Sequence, residues 1–90
     1  MNIKEFDLYT AEQWAADGSL NVKEGQVITP DVFWRLCEAL PPHRWSGGIF
    51  QPGEPYTHEP DPNNPGYMRP LYETFEAIGD DYYKYIGLRP

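Results

Sequence analysis

The chain has 90 residues, enough for one domain with a thin core. Seven basic and fourteen acidic residues give a net charge of −7, which excludes general affinity for nucleic acid or anionic membranes, since both need a basic surface. A single cysteine excludes an internal disulfide, and Met1 to Thr10 carry no apolar run, so a cytoplasmic, reducing location without a membrane span is expected.

The apolar content is mostly rings: three Trp, seven Tyr and four Phe. Each can bury about 150–250 Å², so a few aromatic anchors serve where a larger domain uses many aliphatics. Disordered segments are poor in aromatics, and ten prolines lower the entropy of the unfolded chain. Residues 1–90 are therefore read as one folded domain.

In chain order, Thr10 with Gln13 three residues later forms a capping box. It opens a short helix through Trp14, Ala15 and Ala16 that Asp17-Gly18 ends. Leu20 to Val22 and Gln26 to Ile28 flank Lys23-Glu24-Gly25 and read as a small hairpin. Thr29 as N-cap, Pro30 at the first helical position and Asp31 against the dipole begin the clearest element. Val32, Phe33, Leu36, Cys37 and Leu40 form its apolar stripe, and Pro41-Pro42 stops it.

Arg44 to Gln51 reads as an extended segment turned by Gly47-Gly48. Pro52 to Pro70 holds six of the ten prolines and is expected to be a long loop without regular structure. Pro70 then starts a helix with Leu71, Tyr72, Phe75 and Ile78 on one face and Gly79 at its end. Asp80-Asp81 turns into Tyr82 to Leu88, a strand by its aromatic content. The expected class is α+β: a small antiparallel β-sheet, two or three short helices and a long proline-rich loop.

No residue pattern pairs a nucleophile with a base, so no enzymatic activity and no cofactor are expected. His58 among Glu54, Glu59 and Asp61 invites a metal reading, but His43 is distant in sequence and the close-spaced ligand pair of a zinc site is missing. Asp61 to Gly66 imitates the start of a calcium loop, yet Pro65 offers no side-chain oxygen and Tyr72 stands where a glutamate is needed. Cys37 lies on an apolar stripe, where a thiol packs as a small hydrophobe. Ser46 lacks a nucleophile elbow, and Gly47-Gly48 lacks the frame of a phosphate loop.

What remains is a surface. From Glu54 to Asp81 there are seven acidic residues and one basic residue, Arg69. Glu73 and Glu76 are expected to share a helix face, with Asp80 and Asp81 extending it. Tyr82, Tyr83 and Tyr85 face both sides of the last strand, either toward a binding surface or packed beneath the proline loop. The candidate partner-binding residues are Glu54, Tyr56, Glu59, Asp61, Glu73, Glu76, Asp80, Asp81 and Tyr83, directed at a protein with a basic surface.

Leu40-Pro41-Pro42-His43-Arg44-Trp45 and the run Gly48 to Tyr56, with Tyr72-Glu73-Thr74-Phe75 and Tyr82 to Leu88, resemble small accessory proteins of phages and plasmids. The resemblance covers about the last 50 residues and carries no catalytic residue. It implies a mobile-element context, a class that includes anti-CRISPR and other anti-defence inhibitors. The leading expectation is a non-enzymatic inhibitor that covers a basic, nucleic-acid-binding surface of a host defence protein. The alternatives are a self-associating structural or regulatory protein of the same element, and a small metal- or ligand-binding enzyme using His58, Glu54 and the loop tyrosines.

Overall fold

A computed structural model describes residues 3–17 and 21–90. After a 3-10 turn at Ile3–Glu5 come strand β1 (Leu8–Tyr9), helix α1 (Ala11–Asp17), β2 (Val27–Ile28) and helix α2 (Pro30–Ala39). The rest is strand: β3 (Pro42–Ser46), β4 (Ile49–Pro52), β5 (Thr57–Pro60), β6 (Met68–Gly79) and β7 (Tyr82–Arg89). The order across the sheet is β1-β2-β7-β6-β4-β3, with β5 paired to the free part of β6.

Local chemistry explains the well-bounded elements. The Thr10 amide donates to Gln13 Oε1 at 2.8 Å and the Gln13 amide donates to Thr10 Oγ1 at 3.3 Å, so the capping box is closed in both directions. Helix α2 starts at Pro30 behind an extended Thr29, with no side-chain cap bond from that threonine. Val32, Phe33 and Leu36 are buried and Cys37 is half-buried, whereas Leu40, the last residue of the expected stripe, is exposed at the C-cap. Gly47 and Gly48 both have positive φ, at 58° and 80°, the backbone that a two-residue β3–β4 hairpin requires.

Phe33 is the hub of the core. Its ring stacks on Tyr83 at 4.4 Å and meets Phe50 edge-on at 5.0 Å. Phe50 pairs with Phe75 across β4 and β6, so α2 lies on the sheet face that carries these rings. Tyr9, Ile28, Val32 and Leu36 complete the buried cluster. Gln51 and Thr74 alternate to the opposite face, where the Gln51 amide group donates to Thr74 Oγ1 at 3.1 Å.

Four expectations change. The segment from Pro70 to Gly79 is strand, not helix: β6 runs for twelve residues and pairs with β7 from Tyr72↔Arg89 to Gly79↔Tyr82. Its aromatic and β-branched residues, Tyr72, Thr74, Phe75 and Ile78, suit a strand with cover on both faces. The Asp80-Asp81 link then closes a tight hairpin, with φ at 53° and 63°. The 52–70 segment is ordered rather than irregular, since β5 pairs with β6 in register from Thr57↔Leu71 to Pro60↔Met68.

The hairpin expected around Lys23 to Gly25 is absent among the described residues, and Leu20 lies outside them. There Gln26 donates to the Lys23 carbonyl, and β2 pairs instead with β1, parallel, and with β7, antiparallel. The end of α1 at Gly18 also falls outside the described residues. The sheet is therefore larger than expected and mixed, within the α+β class. No described helix is long and apolar enough to cross a membrane.

Candidate functional site

The acidic stretch expected to form one patch is spread along β6. Twelve strand residues span roughly 35–40 Å, so Glu59 and Asp61 sit near one end of the fold and Asp80-Asp81 at the other. Glu73 and Glu76, three apart, share no helix face; strand alternation sends them to opposite sides of the sheet. Glu76 is exposed and lies across from Lys84. Tyr83 is 7 % exposed and buried under α2, so it leaves the set of surface candidates.

At the first end β5 and the start of β6 form an arm. Its turn is held by Asp61: its Oδ1 accepts from the Asn63 amide at 2.8 Å, and its own amide donates to the Tyr67 carbonyl at 2.9 Å. Glu59 forms an ion pair with Arg69, its cross-strand neighbour. Two of the expected docking carboxylates thus order the arm itself. Glu54 is exposed, and Tyr56 and Tyr67 are 69 % and 70 % exposed with Met68 beside them in the arm. Both rings thus stand open to water on an ordered hairpin.

His58 is on β5 opposite Pro70 and is exposed. No group of three His, Cys, Asp or Glu side chains among the described residues could hold a metal ion. The calcium-like run Asp61 to Gly66 is the arm's turn, and Tyr72 belongs to β6. Burial pushes the Cys37 thiol up, with the Glu38 charge adding to it, which disfavours the thiolate that nucleophilic chemistry would need.

Midway along the sheet, Glu73 is half-buried and desolvation raises its carboxyl above the usual range. The Tyr85 hydroxyl is raised first by burial and then by the charge of Glu73, with Tyr56 and Glu24 adding to it. Tyr85 packs on Phe75 at 5.1 Å, and Tyr82 lines a shallow groove with Thr10, Glu12, Thr29 and Asp31. The three tyrosines of β7 are accordingly divided between the core, its margin and a surface groove, and none packs beneath the proline-rich arm as a group.

On the β3–β4 side of the sheet, level with Phe75, is a feature that the sequence reading missed. Trp34 and Trp45 are each about half exposed and meet edge-to-face, at 6.2 Å and 83°. Phe33 touches both, at 5.1 and 5.4 Å, and the Trp45 indole N–H donates to the Tyr83 hydroxyl at 3.1 Å. The signal available in sequence was a tryptophan placed off the apolar stripe of α2, next to Phe33.

No family model, curated protein or solved structure matches the chain.

Proposed function

We propose that this chain is a small non-enzymatic protein-binding module of a mobile element, which docks on a basic surface of a partner protein. The observation that carries the reading is the arm: an ordered hairpin with Tyr56 and Tyr67 projecting into solvent, on a molecule of net charge −7. Arg69, the arm's one Lys or Arg residue, is tied to Glu59, and of the nearby carboxylates Glu54 is the exposed one. Rings supply buried area at low entropic cost, and the net charge steers approach to a Lys/Arg-rich surface such as a nucleic-acid site. A host defence protein is the partner class that fits the mobile-element context.

The test is affinity capture of the partner with the intact protein, followed by titration of the purified complex. Exchanging Tyr56 and Tyr67 for serine is expected to weaken the complex at least tenfold, and raising salt from 50 to 300 mM to weaken it further. A complex that keeps full affinity in both experiments contradicts the reading.

A further inference from the structure

We infer that the Trp34–Trp45 corner is a receptor for an arginine side chain carried by a protein partner. It lies on the β3–β4 side of the sheet, level with Phe75 and away from the arm at Met68–Leu71, so neither reading rests on the other. Position is given by two pairings: Trp45 pairs with Phe50 in the β3–β4 hairpin, and Phe50 pairs with Phe75 of β6.

Three observations lead to this occupant. First, the rings are pre-arranged. Trp45 is fixed by its bond to Tyr83, and both indoles rest edge-on against Phe33, so half of each ring faces water without freedom to collapse. Second, the indole N–H of Trp45 is satisfied inside the protein, which leaves ring surface rather than a polar atom as what this residue offers. Indole faces are the best side-chain acceptors of a cation, and the planar, weakly hydrated guanidinium stacks on them where an ammonium does not.

Third, the adjacent charge is negative. Asp31 and Glu38, three before and four after Trp34 on α2, are both exposed and lie about 40–60° round the helix from it. Arg35 is turned about 100° away, into a groove with Trp14 and Ala39 that Glu38 also borders. Arg44 follows the strand alternation to the sheet face opposite Trp45. A second copy of the chain would bring a charge of −7 against −7, so complementarity selects a cation and disfavours self-association here.

The experiment is calorimetric titration of the protein at low salt with hexa-arginine, hexalysine and hexacitrulline peptides. Hexa-arginine is expected to bind most tightly and hexacitrulline, which keeps the shape without the charge, not measurably. Trp34→Leu and Trp45→Phe should each weaken hexa-arginine about three- to tenfold while the circular dichroism spectrum is unchanged. Glu38→Gln, a change at an exposed residue, should weaken it about twofold and guards against a folding defect in the tryptophan variants. The serine exchanges at Tyr56 and Tyr67 should leave this binding intact. Equal affinity for hexalysine and hexa-arginine, or undiminished affinity in both tryptophan variants, overturns the assignment while leaving the arm's reading untouched.

Discussion

Replacing Phe33 with alanine tests whether one ring organises this core. Phe33 is fully buried and touches four other rings: stacked on Tyr83 at 4.4 Å, edge-on to Phe50, Trp34 and Trp45 at 5.0 to 5.4 Å. Removing a buried phenylalanine costs about 3–5 kcal/mol through lost transfer energy and the cavity left behind. Aromatic pairs add about 0.5–1.5 kcal/mol each beyond area, so the upper half of that range is expected. A chain of this length has roughly 5–13 kcal/mol in total, and the variant should lose a third or more of it. Urea unfolding followed by circular dichroism should show the midpoint fall by about 2–4 M at constant slope. Trp34→Ala is the internal control: the neighbouring ring is half exposed and should cost only about 1 kcal/mol. If the two substitutions cost the same within about 0.5 kcal/mol, the hub description is wrong.

Glu73 is raised by burial, so its charged form is disfavoured in the fold; stability is greatest below its unfolded pKa and declines as pH rises through the folded one. Glu73→Gln should therefore raise the melting temperature at pH 7 by about 2–4 °C, the effect being softened by solvent, and should give no gain at pH 3 in a paired calorimetric scan. Asp80 and Asp81 hold left-handed backbone without being glycine, so the pair Asp80→Asn and Asp81→Gly should stabilise the hairpin by about 1 kcal/mol; a fall in the urea midpoint would contradict the turn geometry. Cys37, half-buried with a raised thiol, should react with a disulfide reagent at pH 7 at least tenfold more slowly than a free thiol peptide. Reaction at the free-peptide rate would contradict its placement in α2.

Much of the fold was legible where several local signals agreed. In α2 the Thr29-Pro30-Asp31 start and the apolar stripe name the same helix, and at Thr10 the capping box is visible in four letters. The hairpin at Gly47-Gly48 follows from two residues that tolerate positive φ. The segment from Pro70 to Gly79 was not legible for a physical reason. Leu71, Tyr72, Phe75 and Ile78 sit at spacings that satisfy a helix, and because Thr74 and Phe75 are both buried, β6 shows no simple alternation. The pairing with β7 decides the matter, and pairing is a long-range fact. The same strand separates the acids that sequence proximity had joined, and it draws Tyr83 into the core. Trp34 and Trp45, eleven residues apart, meet only because the β3–β4 hairpin folds back beside α2.

The continuity of β6 has a mechanical consequence. The strand that builds the arm at Met68–Leu71 is the one that crosses the core at Phe75, with no loop between the two. The arm thus continues the core strand directly: its own ladder to β5 ends at Leu71 and the ladder to β7 begins at the next residue, Tyr72. A partner that engages Tyr56 and Tyr67 would meet a backbone already ordered by hydrogen bonds, and the ordering cost on this side would fall on the side chains alone. Load applied at the tip would pass along this one strand into the core at Phe75, and from there across the ladder to β4.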